Sequence, residues 1–241
     1  MMSQKHLLRT TDLTADDLMQ ILQTAVMFEG VNERRIKKVP ALRGRTVVNL
    51  FFEPSTRTKG SFELAEKRLS CDTLSAGGSS SSTVKGESLV DTIQTLNSMK
   101  VDCYVVRAKS AGTPQKIADH TDACVIDAGD GKHQHPTQAL LDLYTIWRRK
   151  GSFDGLRVGI VGDISHSRVC GSLVPALKIL GAHVTLIAPQ TLLPARPDVL
   201  GADVVTADLD AALPNLDVVY MLRVQMERLE GAPMLVVDPL V

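Results

Sequence analysis

The chain has 241 residues, 44% of them hydrophobic, and its 27 basic residues cancel its 27 acidic ones. A zero net charge supplies no global field for nucleic acid or an anionic membrane, and 4% aromatic residues do not make a base-stacking surface. No apolar run nears the roughly 20 residues of a membrane span, Met1–Asp12 lacks a signal-peptide core, and the four cysteines have neither C-x-x-C nor zinc spacing. A cytoplasmic protein of two domains is expected, without a metal or organic cofactor and with Cys71, Cys103, Cys124 and Cys170 reduced.

Thr14 and Asp17 form a capping-box pattern, and Leu18, Ile21, Leu22, Ala25 and Val26 recur at helical spacing, so a helix is predicted to about Glu29. A basic connector, Arg34 to Lys38, leads to an apolar strand from Thr46 to Phe52 and, after a polar turn, a helix from Lys59 to Leu69. A Gly/Ser-rich stretch, Ser75 to Thr83, reads as a linker or a functional loop. Beyond it the pattern alternates: helix Ser88–Met99, strand Asp102–Val106 ending at Arg107, helix Pro114–His120, strand Ala123–Asp127, a Gly-Asp-Gly turn, and helix Pro136–Arg149. The second half restarts with strand Arg157–Asp163, helix Ser165–Leu180, strand Ala182–Ala188 and strand Leu216–Leu222. Such alternation predicts an α/β fold of two doubly wound parallel-sheet domains, 1–149 and 150–241, with ligands at the C-terminal strand ends.

Four features at those ends carry chemistry. Ser55, Thr56, Arg57 and Thr58 join a strand to a helix start, where unpaired N–H groups and the helix dipole attract an anion. The competing reading is a simple cap with a solvated arginine. His135, just before the helix-initiating Pro136, can donate to a carbonyl oxygen that gains charge, or can be an ordinary capping residue. His166, Ser167 and Arg168 place a cation at another helix start, suited to a carboxylate, and the preceding Gly159-Ile160-Val161-Gly162-Asp163 lacks the G-x-G-x-x-G of a dinucleotide site. Arg223 and Gln225 alternate after a strand and can share a cleft, or belong to a charged surface loop.

F-E-P-S-T-R-T, S-x-x-x-K-G-E, H-P-T-Q-A-L-L-D, G-D-I-x-H-S-R-V and R-V-Q-M-E-R follow in this order from Phe52 to Arg228. In this the chain resembles the aspartate carbamoyltransferase catalytic chains, over about residues 5 to 230. The resemblance implies transfer of a carbamoyl group from carbamoyl phosphate to the amine of L-aspartate, a step of pyrimidine synthesis. It implies that Ser55, Thr56, Arg57, Thr58 and Arg107 hold the phosphate, and that Arg57, Thr58, Arg107 and His135 polarise the carbamoyl carbonyl. Gln138 would contact the carbamoyl amine, and Arg168, Arg223 and Gln225 would grip the aspartate carboxylates. Ser81 and Lys85 would reach into a neighbouring subunit's site, with Lys85 near both phosphate and aspartate, in a homotrimer; Ser80 and Ser82 compete with Ser81 for the phosphate. Some family members also associate with a regulatory chain or a dihydroorotase.

Ornithine carbamoyltransferases share the phosphate half, but their S-M-G and H-C-L-P segments are absent here. The family's H-P-x-P segment and terminal helix also have no counterpart before Val241, so an incomplete second domain is expected. A homologue that binds carbamoyl phosphate or a partner without turnover is the alternative from another functional class.

Overall fold

The computed structural model describes residues 3–76 and 88–224. Helix α1 (Ala15–Glu29) begins at the expected capping box: the Thr14 hydroxyl accepts from the Asp17 N–H, and the Asp17 carboxylate accepts from the Thr14 N–H at 3.1 Å. Hydrogen bonds from Ser3 and Thr14 hold the Asp17 carboxyl well below the usual carboxylate range.

Strands β1 (Thr46–Phe51), β2 (Asp72–Ala76), β3 (Cys103–Ala108) and β4 (Cys124–Asp130) form one parallel sheet in the order β2-β1-β3-β4. Their side chains alternate between faces. Val48, Leu50, Tyr104, Val106 and Val125 pack with Ile93 of α3 (Leu89–Ser98) and Ile117 of α4 (Thr113–Ala118). Val47, Phe51, Val105 and Ala128 pack on the opposite face with Phe62 of α2 (Thr56–Leu69). Helices therefore cover both faces, as the buried apolar strands require.

Helix α5 (Pro136–Lys150) leads to the second parallel sheet: β5 (Arg157–Val161), β6 (His183–Ile187), β7 (Val204–Thr206) and β8 (Val218–Met221), ordered β7-β6-β5-β8. The largest core unites this sheet with α1, α5 and α6 (Cys170–Ile179), around Leu18, Leu143, Ile160, Leu173, Leu177 and Leu186. A four-residue helix α7 (Leu209–Ala212) lies between β7 and β8. Among the described residues no helix is long and apolar enough to cross a membrane.

Several boundaries differ from expectation. Helix α2 starts at Thr56, because the polar turn supplies its first residues, and β4 continues through Gly129 and Asp130, read from sequence as a turn. Helix α6 starts at Cys170, five residues late, because the Asp163 carboxylate accepts from the His166 N–H at 3.2 Å and from the His166 ring at 2.8 Å, and so holds a turn there. Strands β2 and β7 were missed: they are short edge strands whose mostly exposed residues carry no hydrophobic alternation.

Candidate functional site

The strand ends of the two sheets face one cavity of about 1000 Å³. Its walls include Glu53, Ser55, Thr56, Arg57, Arg107, Lys109 and Lys132 from the first half and Ser167, Arg168 and Arg223 from the second. Eight of the site residues read from sequence are therefore seen together or in direct contact: Ser55, Thr56, Arg57, Arg107, Arg168 and Arg223 line the cavity, and Thr58 and His135 touch Arg107. Ser81, Lys85 and Gln225 lie outside the described residues.

Each element presents its group for a local reason. Ser55 is the N-cap of α2 with extended backbone (φ −160°), yet its side chain makes no capping hydrogen bond. Its hydroxyl, with the first-turn N–H groups of Thr56, Arg57 and Thr58, is thus available to an external acceptor. The simple-cap reading does not describe this turn. The same holds at α5, where His135 is the N-cap without a side-chain capping bond and Pro136 fixes the first helical position.

Arg107 ties the strand ends together. Its Nη1 lies 3.1 Å from the Ala128 carbonyl oxygen and 3.4 Å from both Thr58 Oγ1 and His135 Nε2. Its Nη2 lies 2.7 Å from Glu53 Oε1. His135 is buried, and its pKa is lowered to about 3, first by loss of solvation and then by the charges of Arg168 and Arg107. The ring is neutral at pH 7, so it acts as a directional hydrogen-bonding group. Asp127, one strand residue upstream of Ala128, is pushed up to about 8 by burial, against the hydrogen bond from the Gly129 N–H at 2.6 Å.

Arg168 crosses from the second half. Its Nη2 lies 2.7 Å from the same Glu53 oxygen, and its Nη1 donates to the Gly131 carbonyl at 3.1 Å. One carboxylate thus holds two guanidinium groups from the two sheets side by side, an arrangement that concentrates positive charge while neutralising part of it. Gly129, at φ +134°, makes room for both: a Cβ there would sit 3.0 Å from Arg107 Nη1 and 3.1 Å from Arg168.

The loop before α5 is bolted to α6. The His135 N–H donates to Ser172 Oγ at 3.0 Å, and that hydroxyl donates to Gln134 Oε1 at 2.5 Å. Pro175 cannot donate to the Gly171 carbonyl, which instead accepts from Gln134 Nε2 at 3.2 Å. Gln138, in the first turn of α5, does not line the cavity; its Nε2 donates to Asp142 Oδ1 at 3.0 Å, and Tyr220 of β8 donates to Asp142 Oδ2 at 2.8 Å. Burial raises the Asp142 pKa.

Sequence reasoning missed Glu53, Gly129, Lys109, Lys132 and Asp142. Glu53 stood within F-E-P-S-T-R-T and Asp142 closes H-P-T-Q-A-L-L-D, but each acts through partners on other elements.

The model of the aspartate/ornithine carbamoyltransferase carbamoyl-phosphate binding domain matches residues 5–148. The aspartate carbamoyltransferase catalytic subunit of Thermobifida fusca is 54% identical over 228 residues, covering 95% of this chain and 72% of that protein. The catalytic subunit of M. jannaschii aspartate transcarbamoylase superposes with a TM-score of 0.81 at 36% identity, over 95% of this chain and 77% of that one. The Trypanosoma cruzi aspartate transcarbamoylase in complex with aspartate and phosphate superposes with a TM-score of 0.82 at 29% identity, over 92% of this chain and 76% of that one.

Proposed function

The chain belongs to the aspartate/ornithine carbamoyltransferase family, and from that premise we propose that it transfers the carbamoyl group of carbamoyl phosphate to the amine of L-aspartate, releasing N-carbamoyl-L-aspartate and phosphate. The observation that carries this reading is the shared cavity, in which the anion turn Ser55–Arg57 and Arg107 face Arg168 and Arg223 across the two sheets.

Residues 1–149 form the carbamoyl-phosphate half and 150–241 the aspartate half. Ser55, Thr56, Arg57, Thr58 and Arg107 bind phosphate through hydroxyls, helix N–H groups and charged forks. The neutral His135, with Arg57, Thr58 and Arg107, polarises the carbamoyl oxygen, and Gln138 contacts the carbamoyl nitrogen. Arg168, Arg223 and Gln225 hold the two aspartate carboxylates. The neutral aspartate amine attacks the carbamoyl carbon, the tetrahedral oxyanion is stabilised by donors fixed before the reaction, and its collapse breaks the C–O bond to phosphate, which leaves into a cluster of cations and takes up the amine's proton as hydrogen phosphate. Positioning and oxyanion stabilisation carry the rate, each worth several kcal/mol of barrier. A homotrimer, in which Ser81 and Lys85 of one subunit complete the site of the next, is part of the same reading.

The test is product formation from carbamoyl phosphate by the purified 241-residue protein with aspartate and ornithine offered in parallel. Carbamoyl-aspartate as sole product is expected. Carbamoyl-ornithine would overturn the roles of Arg223 and Gln225, and binding without product would favour the non-catalytic homologue.

A further inference from the structure

A primary amide is nearly symmetric in shape, so which end of it faces a ligand is decided by its partners. Gln138 has one such partner: Asp142, one helical turn along α5, whose Oδ1 takes the Gln138 Nε2 at 3.0 Å. An ionised carboxylate only accepts, so this contact claims the NH2 end and leaves Oε1 to accept from another donor, while the Gln138 backbone N–H is tied to the His135 carbonyl at 3.1 Å. Gln138 Oε1 meets no donor among the described residues. Asp142 is itself fixed from a second element, because its other oxygen takes the Tyr220 hydroxyl at 2.8 Å from β8, in the opposite sheet. An ordinary surface pair spaced i,i+4 needs neither this burial nor this second anchor.

We propose that Asp142 is a positioning residue for substrate selection: it orients the Gln138 amide so that the carbonyl oxygen, an obligate acceptor, faces the NH2 of the carbamoyl group. The inference rests on the reading of Gln138 given above. An acceptor at that point distinguishes a carbamoyl phosphate from an acetyl phosphate, which has the same phosphate and carbonyl but a methyl group where the NH2 stands. Rejection follows because the methyl group would leave Gln138 Oε1 desolvated and unpaired, and a site built around a hydrogen bond discriminates more sharply than an apolar pocket does. Tyr220 links the orientation to β8, the strand that leads directly to Arg223, so the selecting amide and the aspartate half share one anchor.

Equilibrium binding of phosphonoacetamide and acetonylphosphonate tests this directly, since these stable analogues differ only by NH2 in place of CH3 and need no turnover. The wild-type protein is expected to prefer the amide roughly tenfold, Gln138→Ala to lose that preference, and Asp142→Asn to lose it as well, because an asparagine can offer its own NH2 and turn the Gln138 amide around. Inorganic phosphate should bind all three proteins within about twofold, which separates orientation from general damage. If Asp142→Asn keeps the preference that Gln138→Ala loses, the proposal is overturned and the reading of Gln138 stands. If Gln138→Ala keeps it, that reading fails and the proposal with it. Should Asp142→Asn not fold, Tyr220→Phe frees one side of Asp142 and is expected to cut the preference two- to threefold, roughly the weight of one weakened hydrogen bond; an unchanged preference there also overturns the proposal.

Discussion

The two sheets share a design, four parallel strands each, but not a degree of enclosure. In the first, only the edge strand β2 is open; β1, β3 and β4 are almost wholly buried, and Arg107, Thr58, His135 and Glu53 are knitted by hydrogen bonds across three strand ends. In the second, β5 and β6 are buried, but the outer strands are open: Val205 of β7 is 40% exposed and Met221 of β8 67%. Its contribution to the cavity comes from a turn, which carries Arg168, and from the chain just past β8, which carries Arg223. On the proposed reading one half is a fixed anion receptor, and the other reaches toward it with separate cations. Under that proposal phosphate affinity is a property of the first fold unit, while selection of the second substrate depends on how the two units meet.

That division can be broken most severely at Arg107, which touches Thr58, His135 and Glu53 at once. Arg107→Ala is expected to lower kcat/KM for carbamoyl phosphate about 10³-fold, as loss of a preorganised donor does; a loss under tenfold, in steady-state kinetics, would place the receptor elsewhere. Arg223→Ala should raise the aspartate KM roughly 30-fold, the weight of a charged hydrogen bond, with phosphate binding nearly unchanged. Equal damage to both ligands would abolish the distinction between the halves.

Gly129→Ala sharpens the comparison at a smaller scale. A side chain at φ +134° is strained, and it would press on both guanidinium groups, so phosphate binding measured by calorimetry should weaken about tenfold. Gly30→Ala is the control, with open space and an ordinary backbone, and should bind phosphate normally.

The smallest effect is in pH dependence. The His135 pKa falls from 6.5 to about 3 on folding, so its contribution to stability is complete above 6.5 and is lost as pH falls toward 3. Relative to His135→Asn, the wild-type protein should therefore lose about 1 kcal/mol of unfolding free energy between pH 8 and pH 6. A constant difference in urea titrations would mean that the imidazole is not desolvated.

How much of this was legible depended on range. The Thr14–Asp17 capping box, β1, and α5 behind Pro136 are specified by neighbours in sequence, and they were found nearly to the residue. The turn Ser55–Thr58 was legible as a candidate anion site because strand, polar residues and helix start adjoin. Glu53 was not, because its partner Arg168 lies 115 residues away, and a single acidic residue at a strand end has no local signature. Gly129 was read as a turn former, whereas its role is to let two distant side chains approach a strand. The late start of α6 depended on Asp163, a fully buried carboxylate whose effect on the following turn needs the fold to be known.

The empty N-caps of α2 and α5 have a thermodynamic consequence. A side-chain cap is worth about 0.5–2 kcal/mol, and Ser55 and His135 both occupy cap positions without making that bond. The protein therefore holds two helices below their attainable stability at the place where the proposed phosphate would bind. A bound oxyanion supplies the missing acceptor, so part of its affinity is the deferred completion of two helix ends, and the melting temperature should rise with anion concentration by more than the contacts of a surface ion would give.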